Sequence, residues 1–354
     1  MKTLFLGLNW IGDIVMSFPA LAHAAARAGG PVDVLTRPAL APVYSLLPCV
    51  GRVIVMDTRR PFWQLLPELS AVRKQFYDRI YVLPRSFRTA FVAMLCGGTT
   101  RSGYGGEGRG LFLHQAVPVP DWAEKIHESR VHLALVSDPF PERAPDASPA
   151  PMPFLSSIDQ TCARRTRSRF GLPETGSYAV LAPGAAFGDI KRWPSEKFAM
   201  LGTRLRDRHG LTIAITGSAA EAALTANLAG TIGRGAIDLA GRTSLRELFD
   251  IISGSTLLAC NDSGTMHLGA AFKTPLLVPV GPTDMNRTGP MSDRATIVTG
   301  LPCPDGIPCR KRECRYGNRI CLDSVTVEAV SQAADNLLQY ENRSVSPSTG
   351  GKKT

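Results

Sequence analysis

Apolar and polar positions fall into two alternating periods along this chain. Short runs rich in Leu, Ile and Val are each followed by a longer stretch with apolar residues at helical spacing. In the first half the runs are Thr3–Leu8, Val32–Thr36, Val53–Met56 and Ile80–Leu83. The helical stretches are Ile14–Arg27, Ala39–Leu47, Trp63–Gln75 and Phe87–Leu95. Strands alternating with helices of this length predict an α/β fold with a parallel, doubly wound sheet.

The alternation stops at residues 139–153, where six of 15 positions are proline. Such a stretch continues neither a helix nor a central strand. The expected division is a first Rossmann-like domain over 1–140, a linker over 141–157 and a second Rossmann-like domain over 158–325. The second half restarts the pattern with strands Tyr178–Ala182, Leu211–Thr216, Thr256–Cys260, Pro275–Val280 and Thr296–Val298. Its helices are Glu196–Arg208, Ala219–Ala229, Leu245–Ile252 and Met266–Phe272. A helix over 326–342 closes the fold, and 343–354, rich in Ser, Lys, Gly and Thr, reads as a disordered tail. Two such domains predict a cleft, with the chemistry on loops after the carboxyl ends of strands.

Composition narrows this picture. With 44% hydrophobic and 20% charged residues in 354, the chain is neither disordered nor a coiled coil. No apolar run approaches the ~20 residues that span a bilayer. Lys2, Leu4-Phe5-Leu6 and the alanines after Pro19 imitate a secretion signal, but Asn9 and Asp13 interrupt it, so a cytoplasmic protein is expected. The net charge of +10 favours an anionic partner: nucleic acid, nucleotide phosphate or an acidic membrane face. Aromatics are 7% and the charge is dispersed, which argues against nucleic acid.

Candidate chemistry follows the strands. The loop after the first strand, Gly7–Gly12, leads to Asp13, either a helix N-cap or a carboxylate able to take a proton from a hydroxyl. After Tyr178–Ala182 come Pro183, Gly184, Ala185 and Ala186, then Lys191, Arg192 and Trp193 before a helix. Small residues and a helix N-terminus suit a phosphate, and Lys191 could neutralise a leaving diphosphate. Glu221, past the next strand, is placed to accept from ribose hydroxyls or to complement a helix dipole. Asn261–Ala271 follows an apolar strand, with Asp262, Ser263 and Gly264 opening a small-residue helix that carries Met266 and His267. Asp262, Ser263 and His267 are also hydrolase residue types, but no Gly-x-Ser-x-Gly elbow accompanies them. Gly281–Asp284 is a loop of the same phosphate-friendly character.

Two further features have poorer context. Gly103–Gly108 matches Gly-x-Gly-x-x-Gly, yet neither a leading strand nor a following helix is evident, so a flexible loop is expected. Cys303, Cys309, Cys314 and Cys321 lie in a Cys-rich loop over 301–322 and lack the C-x2-4-C pairs of structural zinc. A reduced loop or a local disulfide is favoured over structural zinc, and no metal or cofactor is expected for catalysis.

The segments Asn9–Ser17, Pro183–Phe198, Leu239–Ser244 and Asn261–Ala271 together resemble glycosyltransferase family 9, the lipopolysaccharide heptosyltransferases. The resemblance spans about residues 2–340. It implies a GT-B fold: two Rossmann-like domains facing a cleft, the acceptor on the first and the nucleotide sugar on the second. It implies an inverting transfer of L-glycero-D-manno-heptose from ADP-heptose to a heptosyl-Kdo2-lipid A acceptor, at the cytoplasmic face of an anionic inner membrane and without nucleic acid. Asp13 falls on the family's general base and Lys191 on its diphosphate-contacting lysine. Gly184, Arg192, Trp193, Glu221, Asp262, Ser263, Gly264, Met266 and His267 fall on its donor side. Leu83–Arg88 and Arg101–Arg109 resemble its acceptor-side segments, so Asn9, Trp10, Arg85, Arg88, Arg101 and Arg109 are expected to face the acceptor. Ala186 and Phe187 stand where some relatives carry Thr or Ser, and Asn318 where some carry His. Sibling transferases with another heptose position or donor, and a basic nucleic-acid-binding protein, are the competing readings.

Overall fold

A computed structural model describes residues 1–174, 177–309 and 311–345, the side chains of 341–345 excepted. Residues 346–354, most of the expected tail, lie outside the described residues. The chain divides into two compact units, Met1–Ser157 with Asp284–Met291, and Ile158–Thr283 with Ser292–Thr354.

In the first unit the strands are β1 (Thr3–Leu6), β2 (Val32–Thr36), β3 (Val50–Val55), β4 (Arg79–Val82), β5 (Thr100–Tyr104) and β6 (Gln115–Val117). The helices are α1 (Ile11–Ala28), α2 (Ala41–Tyr44), α3 (Phe62–Arg73), α4 (Phe87–Cys96) and α5 (Glu128–Val136). All strand pairs are parallel, in the order β3-β2-β1-β4-β5-β6. The leader-like N-terminus is therefore a central strand and a buried helix. One face of the sheet packs Leu4, Leu6, Ile80 and Val82 against Leu65, Leu69 and Val72 of α3 and Ala90 and Ala93 of α4. The spacing of the α3 residues, i, i+4, i+7, is the apolar stripe of a surface helix.

In the second unit the helices are α6 (Gln160–Arg169), α7 (Ser195–His209), α8 (Ala222–Ile232), α9 (Leu245–Ser253) and α10 (Gly264–Ala271). They alternate with β7 (Tyr178–Ala182), β8 (Thr212–Ile215), β9 (Ala236–Asp238), β10 (Leu257–Cys260), β11 (Leu276–Val280) and β12 (Ala295–Thr299). The short α11 (Met285–Thr288) groups with the first unit, and α12 (Ile320–Asp323) and α13 (Val327–Val345) close the second. The sheet is again parallel, in the order β12-β11-β10-β7-β8-β9. Leu181, Ile213 and Leu257 pack against Phe198 and Leu205 of α7 and Val330 and Leu338 of α13.

Both sheets thus follow the doubly wound dinucleotide-fold order, three strands wound one way and three the other. The direction of winding reverses between β1 and β4 in one unit and between β7 and β10 in the other. Loops that leave the carboxyl ends of those neighbouring strands diverge, and ligands of such folds bind there.

Several elements differ from expectation. A strand, β5, does lead into Gly103–Gly108, but a single 3-10 turn, Arg109–Leu111, follows instead of a helix. The N-cap of α1 is Trp10, so Asp13 is the third helical residue and not the cap. The proline-rich segment is tied to α5: Ala147 accepts the His127 N–H at 3.2 Å, and Ala150 N–H donates to Ser129 Oγ at 2.9 Å. The final helix runs to Val345, three residues into the expected tail.

Candidate active site

The second unit's switch point is the more fully built. Ala182 of β7 pairs with Cys260 of β10, so the loops beginning at Pro183 and Asn261 start side by side. Asn261, fully buried, staples them: its Nδ2 donates to Pro183 O at 2.6 Å and its Oδ1 accepts from Trp193 N–H at 2.9 Å. That staple brings the Lys191 ammonium to 2.6 Å from Asp262 Oδ2. Thr283, on the loop after β11, donates to the same oxygen at 2.6 Å. Loops from three strand ends therefore converge on one carboxylate. Phe187 lies under the cation, its ring centroid 5.2 Å from Lys191 Nζ.

Arg192 extends the positive edge. Its guanidinium reaches Asp189 Oδ1 at 2.8 Å, Ala185 O at 3.3 Å and Glu221 Oε1 at 3.6 Å. Glu221 closes a capping box, its Oε2 accepting from both the N–H and the hydroxyl of Ser218 at 2.8 Å. Oε2 therefore complements the helix N-terminus, while Oε1 faces Arg192. Gly184 makes this approach feasible: a Cβ there would sit 2.0 Å from Glu221 Oε1. Ser263 is the N-cap of α10 with its backbone extended, and its hydroxyl makes no hydrogen bond among the described residues. Gly264 is the first helical residue, at the favourable end of the helix dipole.

A recess of about 560 Å³ opens beside the Lys191 loop. Ile190, Arg192 and Leu224 line one side, and Arg312, Cys314 and Arg319 of the Cys-rich segment line the other. Arg319, to which the sequence reading gave no role, donates to Asp189 O at 2.6 Å and Arg192 O at 2.7 Å. The loop presenting Lys191 is therefore held from the Cys-rich segment. The four cysteines there are free thiols, and burial pushes the Cys321 thiol up from its ordinary value, with Cys303 adding to the rise. Among the described residues no group of three or more His, Cys, Asp or Glu is gathered as a metal ion requires.

Three residues expected on the donor side turn inward. Trp193 is 1% exposed, with its indole donating to Val325 O at 2.9 Å and its ring against Phe198. Met266 and His267 are buried within α10. Met266 and His267 belong to the core, while the little of Trp193 that remains accessible lines the recess beside Asp189 and Arg192.

In the first unit Asp13 stands half-exposed in the first turn of α1, after the carboxyl end of β1. Tyr44 is fully buried beneath the preceding turn and accepts the Leu8 N–H at 2.8 Å. Burial pushes the Tyr44 hydroxyl up, and the nearby Asp13 charge adds to that. A Cβ at Gly7 would lie 2.7 Å from the Tyr44 hydroxyl, so only glycine lets the turn close over it. Asn9 and Trp10 are exposed, and Arg37 donates to Asn9 O at 2.7 Å.

The four arginines expected at the acceptor divide. Arg85, after the carboxyl end of β4, keeps a half-exposed guanidinium over the Tyr104 ring, 3.3 Å from Glu128 Oε1. Arg109 is 1% exposed, its guanidinium donating to Pro84 O at 2.9 Å and to Tyr104 O. Arg101 donates to Phe112 O at 2.7 Å and Gly97 O at 3.2 Å. Arg88 donates to Thr58 O at 2.6 Å and to Arg60 O. Burial lowers the pKa of Arg109 and Arg101 from the ordinary value. These three tie loops together through backbone carbonyls, which sequence spacing cannot distinguish from ligand contact.

Two doubly wound units, one with cationic and small-residue loops gathered at its switch point, make a fold and a site suited to an anionic nucleotide ligand. The description of glycosyltransferase family 9 (heptosyltransferase) matches residues 69–320, and the chain belongs to that family. It is 30% identical to lipooligosaccharide heptosyltransferase 2 of Haemophilus ducreyi, covering 96% of this chain and 99% of the relative. It is 28% identical to the protein of that name from Haemophilus influenzae, with the same coverage. Among solved structures, Escherichia coli ADP-heptose LPS heptosyltransferase II superposes with a TM-score of 0.84 at 28% identity, covering 97% of this chain and all of that one.

Proposed function

We propose that this chain is a lipopolysaccharide heptosyltransferase II, moving L-glycero-D-manno-heptose from ADP-heptose onto the first inner-core heptose. The observation that carries this reading is the meeting of Lys191, Asp262 and Thr283 at the second unit's switch point, in a chain similar over nearly its whole length to enzymes of that name. Lys191 and Arg192 offer positive charge to the diphosphate, and the N-terminus of α10 offers backbone donors. Glu221, through Oε1, is the candidate partner for a ribose hydroxyl.

The acceptor hydroxyl oxygen bonds to the anomeric carbon of the heptose as the bond from that carbon to the ADP oxygen breaks, with inversion. Asp13 takes the hydroxyl proton, and the diphosphate leaves with the electron pair, its charge met by Lys191. Arg85, Asn9 and Trp10 are the acceptor-side residues left accessible for the acceptor. No step calls on a metal. No helix among the described residues is long and apolar enough to cross a membrane. Because the acceptor is lipid-linked, the enzyme acts at the cytoplasmic face of the inner membrane.

The test is ADP release from ADP-heptose with two acceptors, Kdo2-lipid A and the same lipid bearing one heptose. Turnover confined to the heptosylated acceptor is expected. Turnover confined to the bare lipid would make this a sibling that adds the first heptose, and silence on both would overturn the donor assignment.

A further inference from the structure

α3 buries one stripe and exposes a second that a water-facing helix would not need. Leu65, Leu69 and Val72 are in the core, while Trp63 is 73% and Leu66 51% exposed on the outer side. Trp63, Leu66, Pro67, Ser70 and Lys74 fall at i, i+3, i+4, i+7 and i+11, a single face. At the N-terminal end of α3, Phe62, next to Trp63 but on the stripe that packs toward the core, opens an aromatic seam. Phe62 packs edge-on to Phe91 at 4.7 Å, Phe91 to Phe112 at 5.3 Å, and Phe112 to Phe87 at 5.0 Å. Phe87, at the start of α4, is 48% exposed, and Leu111, beside Phe112, is 80% exposed. Indole, phenyl and leucyl groups thus stand out around one packed seam, and an exposed apolar patch of this kind marks an interaction surface.

Cations flank it. Residues 57–74 carry four cations against two acids; Arg59 pairs with Asp57 and Arg60 with Glu68, which leaves Arg73 and Lys74 as the surplus. A helix with a basic rim and exposed Trp and Leu suits the interface of an anionic bilayer, where tryptophan sits at headgroup depth and Lys and Arg meet lipid phosphate. We infer that the outer face of α3, with Phe87 and Leu111, is the surface by which this protein docks on an anionic phospholipid membrane. Phe87 follows Arg85 at the carboxyl end of β4, so the docked surface borders the acceptor-side loop. That last link rests on the lipid-linked acceptor proposed above, whereas membrane binding itself does not.

The experiment is co-sedimentation of the full chain with vesicles of phosphatidylcholine alone or mixed with phosphatidylglycerol, with neither donor nor acceptor present. A wrong acceptor assignment therefore leaves its outcome untouched. The expected result is binding to the anionic vesicles only, weakened by salt. Binding should fall at least about tenfold in Trp63→Ser/Leu66→Ser and be retained in Trp63→Phe, with ADP affinity unchanged in both. Serine variants that bind vesicles like the parent would overturn the proposal. So would a parent that ignores anionic vesicles, or one that dimerises in their absence and loses the dimer in the serine variants, which would make the occupant a second copy of the chain.

Discussion

Lys191 and Asp262 form an ion pair at 2.6 Å across 71 positions of sequence, with their side chains only 20% and 9% exposed. Adjacency of β7 and β10 brings them together, and the Asn261 staple fixes the distance. On the proposed reading, an arriving diphosphate would compete with Asp262 for the ammonium, while the Thr283 hydroxyl keeps donating to the carboxylate.

Removing the cation should therefore act on the nucleotide first. Lys191→Ala loses a charge-assisted hydrogen bond worth about 1.5–3 kcal/mol, which corresponds to roughly a 10–100-fold weaker ADP affinity. Lys191→Arg should recover only part of this, because a planar fork does not replace a compact ammonium. Calorimetric titration with ADP measures both, and an unchanged Kd in Lys191→Ala would remove the lysine from the donor site.

Arg319 should behave as a positioning residue. On the Lys191 loop it touches only the carbonyls of Asp189 and Arg192, so any effect on the proposed nucleotide site would pass through that loop. Arg319→Gln is expected to raise the donor KM about tenfold, the equivalent of one lost charged hydrogen bond, while kcat stays near the parent value. Arg319→Lys, which can satisfy one carbonyl, should fall between. A loss confined to kcat would contradict the assignment.

Gly184 tests the close approach of its loop to Glu221. A methyl group there meets Glu221 Oε1 at 2.0 Å, so the carboxylate must leave the Ser218 capping box. Loss of a cap costs about 1 kcal/mol, or roughly 2–4 °C in Tm for a domain of this size. Gly184→Ala should show that shift in thermal unfolding together with weaker ADP binding. Glu221→Ala gives up the same cap, so it should lower Tm by a similar amount, and the double variant should fall no further.

The architecture was legible where hydrophobic periodicity was strong. Central strands such as β1, β7 and β10 are apolar runs, and α7 shows a clear helical stripe. Elements without such a signal were missed. β5 (Thr-Arg-Ser-Gly-Tyr) has no apolar run, β6 is three residues long, and α6 is mostly polar, burying only Ala163 and Arg167 among its residues. Motif spacing located the donor loops but not which way each side chain turns. Trp193 and Met266 sit within the matching blocks and face the core, whereas Arg319 lies outside those blocks and supports the Lys191 loop. Arg109, Arg101 and Arg88 resembled ligand contacts because a guanidinium serves a backbone carbonyl as readily as a phosphate.

Nucleotide binding is proposed on the second unit and proton removal on Asp13 of the first, so the two should be separable. Asp13→Asn keeps the size of the side chain and removes its basicity. Turnover on the heptosylated lipid and ADP affinity, measured on the same Asp13→Asn preparation, probe that separation directly. The predicted result is a fall in kcat of about 10²–10⁴ with the ADP Kd unchanged. Turnover close to the parent rate would show that Asp13 is not the base.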